Sequence, residues 1–379
     1  MEAAKHNLDL TEGVIWKKFL LFLLPIAIGT LFQQFYSTVD AVIVGQFVGA
    51  DALAAVGGSA AVIVQLVVGI FTGLSSGATV VISHGYGAGD KEKLHHAVHS
   101  AVAFSLLAGA IITVVGILLT PDALRWTKNP QEIMGDATLY LRLYFLGTIP
   151  TLLFNMGAGI LRAVGDAKRP LYYLVVCCLM NVVLDYIFVM HLHWGVWGAA
   201  LATGLAQATS TAVFAVYFLT HRYPLRFGRF KPDPGAYRRI IPLGTADGLS
   251  ELSNGMVIFL FNHIIQRVIG PGALVSYTII SYVNTLVLNS VIGIAHGIQP
   301  LCSYHLGAEE RPVCHKFLTY GIRLAACFAA GFFVLCQVLA GAVVGLFLQP
   351  DSALFASSVS ALRLYSFAFL FVGFNVVIS

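Results

Sequence analysis

Ten runs of about 20 or more mostly apolar residues, separated by short polar connectors, limit this chain to very few folds. They lie near 18–48, 52–83, 94–120, 136–160, 170–190, 194–220, 240–268, 273–303, 317–348 and 354–378. In hydrocarbon every backbone N–H and C=O must find a partner inside the protein, so runs of this length fold as helices. Hydrophobic residues make up 58% of the chain and charged residues 11%, too few charges to coat a soluble protein of 379 residues. The first run is too long for a signal peptide and has no small-residue cleavage site, so it reads as a true span. The expected fold class is an all-α polytopic membrane protein with ten spans.

The basic residues set an orientation. With the N-terminus in the cytoplasm, Lys5, Lys17, Lys18, Lys91, Lys93, Arg162, Lys168, Arg169 and the cluster from Arg222 to Arg239 all lie inside. Only Arg125, Lys128 and Arg267 then fall in outer loops. This is the positive-inside pattern, and it places the protein in the cytoplasmic membrane with its N-terminus in. The basic 222–239 stretch reports insertion and is not read as a nucleic-acid site. Trp16, Trp126, Trp194 and Trp197 fall at expected helix ends, as an aromatic belt requires. The six cysteines have no metal-ligand spacing, and no disulfide, zinc or other cofactor is expected.

The chain also repeats itself at a spacing of about 220 residues. Leu141-Arg142-Leu143-Tyr144 returns as Leu362-Arg363-Leu364-Tyr365, and Phe154-Asn155 as Phe374-Asn375. Val48-Gly49 is echoed by Ile269-Gly270, and Pro25 heads the first span as Pro242 heads the seventh. Weak internal symmetry of this kind marks transporters built from two lobes with the substrate held between them. The expected division is a first lobe at 1–220 with six spans, a cytoplasmic loop at 221–239, and a second lobe at 240–379. The repeat stops after its fourth span at Ser379, so the second lobe reads as truncated. Gly45 and Gly49, Gly69, Gly73 and Gly77, and Gly293 and Gly297 recur at helical spacing and predict close helix packing.

Ionisable groups at membrane depth are costly and mark function. Asp40 lies in the first span, Asp185 in the fifth, and Asp247 and Glu251 in the seventh. Asn181 and Asp185 are four residues apart, which stacks an amide and a carboxylate on one helix face. A lone carboxylate at this depth must be protonated, paired or bound to a cation. Two facing aspartates therefore make a site whose charge depends on pH or on Na⁺, with Asp40, Asn181 and Asp185 as candidate Na⁺ ligands. Gln34, Glu251, Asn254 and Asn284 are candidate lining residues of a substrate cleft, while Asp247, nearer the cytoplasmic end, reads as solvated. Aromatic residues together with Met180, Met190 and Met256 suit flat organic cations and amphipathic guests.

The stretch from Pro25 to Val39-Asp40, Val44-Gly45 and Leu53-Ala54-Ala55 resembles the multidrug and toxic compound extrusion (MATE) family. So do Tyr140-Leu141-Arg142, the turn from Leu161 to Pro170, Asn181 to Asp185, and Gly195 to Thr203. The resemblance covers essentially the whole chain. It implies two pseudo-symmetric six-helix lobes around a cleft, rocking-bundle alternating access, and drug/H⁺ or drug/Na⁺ antiport. For the DinF-like prokaryotic branch it implies cation coupling at Asp40, Tyr140, Asn181, Asp185 and Thr203, with Pro25 as the hinge of the first span. A second-lobe Na⁺ site of other branches needs a carboxylate in the tenth span, where this chain has Tyr365 and Asn375.

The expected activity is thus cation-coupled efflux of organic cations or amphipathic compounds by a monomer in contact with membrane lipids. The alternative is a lipid-linked oligosaccharide flippase of similar architecture. That chemistry wants several cleft-facing arginines or lysines for a diphosphate, and the spans offer few. An integral membrane enzyme would want clustered acidic, histidine or nucleophilic motifs at one membrane face, and none is found.

Overall fold

The computed structural model describes residues 15–49, 52, 55–56, 59–127, 131–220, 225, 232–268, 271–352 and 354–378. Most of the expected 221–239 connector lies outside the described residues. Regular structure among them is helical: α1 (Ile15–Phe47), α2 (Ser59–Gly87), α3 (Lys91–Trp126), α4 (Met134–Leu146), α5 (Thr148–Ala163) and α6 (Lys168–Asp185). There follow α7 (Gly195–Thr220), α8 (Pro234–Val268), α9 (Pro271–Gly307), α10 (Arg311–Gly345), α11 (Phe355–Ser366) and α12 (Phe369–Ile378).

Among the described residues seven helical stretches are long and apolar enough to cross a membrane, and the bent pair α4–α5 makes an eighth. The other two expected spans are α1 and α8. At 33 and 35 residues both reach about 50 Å, longer than a bilayer core. In α1, however, the apolar helix identified is Phe19–Gln34, and α8 carries Arg238, Arg239, Asp247 and Glu251. The surface agrees with a lipid setting. Leu107, Ile111, Val114 and Leu118 of α3 are each more than half exposed and line one helix face, as do Val334 and Val338 of α10.

The helices before residue 221 pack chiefly on one another, α6 on α7 and α1, and α5 on α2, α3 and α7. Of those after 232, α10 packs against α9, α11 and α12, while α8 packs chiefly on α2. The two sets meet through α2 against α8, α2 against α9, and α1 against α9. Small residues permit the first of these contacts. A Cβ on Gly73 would enter the backbone of Gly244 and Gly248, and one on Gly77 that of Ile240 and Gly244. With no water to expel between helices in lipid, such close backbone approach supplies the packing energy.

The repeat in the sequence is a repeat of irregularities in the fold. The span α4–α5 bends by 49° at Gly147. Pro150, in the first turn of α5, cannot donate to Leu146, and Thr113 of α3 donates instead to the neighbouring Phe145 carbonyl at 2.9 Å. The span α11–α12 breaks at the corresponding point, just after the second Leu-Arg-Leu-Tyr. There Gln337 of α10 donates to the Arg363 carbonyl and to Ser366 Oγ, both at 2.9 Å. The turns α2–α3 and α9–α10 also correspond. Gly89 and Glu309 both adopt the left-handed conformation, at φ 70° and 64°. In the first turn Asp90 caps α3 by accepting from the Lys93 N–H at 3.0 Å, which holds its carboxyl below the usual carboxylate range.

At the Gly87 end of α2 the two sets of helices are in close contact. Ser83 Oγ donates to the Pro300 carbonyl at 2.5 Å, and Ser76 Oγ donates to Gln299 Oε1 at 2.8 Å. Gly87 lies against the Tyr304 carbonyl of α9, and Gly307 of α9 lies against the His84 carbonyl of α2. These two contacts exchange under the repeat, since Gly87-Ala88 and Gly307-Ala308 occupy equivalent places. Each of the two helices thus sets a glycine against a carbonyl of the other.

Candidate functional site

Asp40 sits on α1 and Asp185 ends α6, where six residues of π-helix, Tyr186–His191, take over. Single π-turns of this kind are frequent at functional sites because they re-aim the side chains beside them. Here the widening follows the carboxylate directly. Asp185 and Asn181 are fully buried, and Asp40 is half-buried with a shielded Oδ1.

The two carboxyl groups lie close enough to interact directly. Two carboxylates cannot donate to each other, so a hydrogen bond between them needs a proton on one of the two. With its amide nitrogen turned toward Asp185, Asn181 donates to Oδ2 at 3.0 Å, and its oxygen accepts from Thr203 Oγ at 3.3 Å. That orientation satisfies both ends of the amide, whereas the opposite one leaves Asp185 facing an oxygen. Thr203 also pairs with the Tyr36 hydroxyl, one turn before Asp40 on α1. Tyr140 of α4 interacts electrostatically with both aspartates. The structure thus brings Asp40, Tyr140, Asn181, Asp185 and Thr203 into one cluster drawn from four helices.

Tyr36 was absent from the sequence-based set. Its helical spacing of four from Asp40 was the available signal, but an aromatic residue in an apolar span is usually packing. Val44, Ala52, Val56, Val189, Val196 and Ala199, with Tyr140 against them, form an apolar cluster at the same end of α1. Among the described residues neither aspartate forms an ion pair with Lys, Arg or His. The donor set is carboxylate, amide, hydroxyl and phenol oxygen, which suits a proton or a hard monovalent cation better than a soft metal.

The candidate cleft residues do not gather at this cluster. Glu251 lies on the wall of a separate cavity of about 860 Å³ among α8, α9, α10 and α12. Asp247, read from sequence as solvated, is half-buried on the same wall, with His296 and Gln299 nearby. The reason is geometric: Asp247 and Glu251 are one helical turn apart and share a face of α8. Gln34 of α1 instead accepts from Asn289 Nδ2 of α9 at 3.1 Å, bridging the two sets of helices. Asn284 is half-buried on α9, away from that cavity. Asn254 belongs to α8, but its side chain lies outside the described residues. Pro25 lies inside α1 and leaves the Leu21 carbonyl without its helical donor.

The MatE family profile matches residues 25–187, which include Pro25, Asp40, Tyr140, Asn181 and Asp185. The probable multidrug resistance protein YoeA of Bacillus subtilis (strain 168) is 25% identical over 354 residues, covering 90% of this chain and 75% of its own length. The multidrug export protein MepA of Staphylococcus haemolyticus (strain JCSC1435) is 25% identical over 371 residues, covering 96% of this chain and 81% of its own. Among solved structures, the outward-facing conformation of a multidrug resistance MATE family transporter of the MOP superfamily superposes with a TM-score of 0.90. It is 25% identical, covering 98% of this chain and 83% of that one.

Proposed function

Because this chain belongs to the MATE family of transporters, we propose that it is a cation-coupled antiporter that exports organic cations and amphipathic compounds. The observation that carries this reading is the facing Asp40–Asp185 pair, with Asn181 donating to Asp185 and itself held by Thr203. Ten spans in two pseudo-symmetric lobes, 1–220 and 240–379, rock about the contact between α2 and α9, with 221–239 as the cytoplasmic link. The N-terminus lies in the cytoplasm, the membrane is the cytoplasmic one, and the working unit is a monomer of the DinF-like branch.

The cycle follows from the site's electrostatics. A bare carboxylate pair in a low-dielectric surround is strongly unfavourable, so the pair holds either a proton or Na⁺. Asp40, Asn181 and Asp185 supply the first oxygens to Na⁺, and Tyr140 and Thr203 complete the shell. Cation entry removes net negative charge from α1 and α6. Since α1 carries both Asp40 and Pro25, the change of charge biases the bend of that helix at the turn where it meets α9. Leu23 and Ala27 flank Pro25 and lie against Gly297 and Gly293 of α9. A substrate is moved because it binds the two facing states with different affinity, and the cation gradient restores the starting state.

The export names of the relatives favour this reading over a lipid-linked oligosaccharide flippase. Its test is efflux of a fluorescent organic cation from proteoliposomes under separately imposed proton and Na⁺ gradients. One gradient drives efflux in wild type, and Asp40→Asn abolishes it. Equal efflux in the variant, or none under either gradient, refutes coupled export.

A further inference from the structure

An apolar groove of about 490 Å³ runs up the membrane-facing side of the junction between α1, α9 and α10. On α1 it is walled by Leu20, Leu24, Ile28 and Leu31, and across from them by Ile294 of α9 and Phe328 of α10. Its two ends differ from its walls. At one end stands Lys17, exposed, and among the described residues no carboxylate pairs with it. Beside that end Trp16 packs edge-on against Tyr320 of α10 at 5.6 Å, closing α1 onto α10. At the other end lie Asn289 and Ser290 of α9.

We infer that this groove binds one acyl chain of an anionic phospholipid, with the phosphate of its head group on Lys17. Lys17 to Leu31 is a rise of about 21 Å along α1. One leaflet contributes half of a hydrocarbon core of about 30 Å, so the groove spans one leaflet plus the head-group level. A slot this apolar excludes water, and without a chain in it the lining side chains lack contact partners on one side. A fixed ammonium at the head-group end selects a negative head group and repels an amphipathic cation, which argues against a substrate path. Pro25 falls midway along the groove, so a chain seated there touches both the bending helix and its partners α9 and α10.

The test is native mass spectrometry of the full chain in detergent, titrated with phosphatidylglycerol and phosphatidylcholine bearing identical acyl chains. Wild type retains phosphatidylglycerol about fivefold better, the preference expected from one lysine at an anionic surface. Lys17→Gln removes that preference, Lys17→Arg keeps it, and Leu24→Trp, which fills the groove, lowers retention of both lipids. Thermal unfolding in lipid-free detergent, unchanged in Lys17→Gln, separates a lost ligand from a lost fold. Equal retention of the two lipids by wild type overturns the inference. So does a preference that survives Lys17→Gln, or retention of ethidium in place of phosphatidylglycerol that Leu24→Trp abolishes.

Discussion

Asp40 on α1 and Asp185 at the end of α6 meet carboxyl to carboxyl, and the amide of Asn181 fixes the second of them. In the proposed cycle a proton or Na⁺ between the two groups offsets their mutual repulsion. The helices that carry the two groups are thereby joined through a titratable link, and α1 is also the helix that contains Pro25 and abuts α9.

Asn181 is expected to matter for stability as well as for the site. Asn181→Leu leaves Asp185 Oδ2 without its donor in a fully buried place, which costs about 1–3 kcal/mol. Thermal unfolding in detergent should fall by several degrees. Asn181→Gln, which keeps the donor, recovers part of the loss.

The glycines of α2 and α8 make a contrasting pair of predictions with those of α10. Gly73→Ala or Gly244→Ala drives a methyl group into facing backbone, and overpacking of this kind costs about 1–3 kcal/mol or more. Gly331→Ala and Gly341→Ala meet nothing within 4 Å, so they gain about 0.5–1 kcal/mol from helix propensity alone. Unfolding temperatures of the four variants in one detergent test both signs.

Closure at the Gly87 end of α2 should depend on the exchanged glycine contacts. Gly307→Val forces α9 away from the His84 carbonyl and exposes Ser83, which is fully buried. On a background without native cysteines, Ser83→Cys is expected to react slowly with a membrane-impermeant maleimide. Adding Gly307→Val should raise the rate about tenfold, the effect of a shift of roughly 1.4 kcal/mol between closed and open forms.

The sequence carried the helical class, most of the span positions and five of the six side chains that the structure brings together at the candidate site. Those properties depend on run length and on the rarity of carboxylates in lipid, both of which are local. It did not show that the α4–α5 and α11–α12 spans are broken. Gly147 and Pro150 mark the first break, but the second has neither residue, and its sole trace is Gln337 on a different helix. The repeated Leu-Arg-Leu-Tyr stood immediately before both breaks and was informative in a way that hydropathy was not.

The central claim is that the Asp40–Asp185 link trades its cation for substrate. The most direct test is the proton count on binding, with the purified full chain in weakly buffered detergent containing a pH indicator and a fluorescent organic cation added to saturation. The account predicts release of about one proton per protein, or its replacement by Na⁺ dependence if Na⁺ occupies the site, and none in Asp40→Asn or Asp185→Asn. Cation-free binding of substrate by wild type, or release that persists undiminished in both variants, contradicts it.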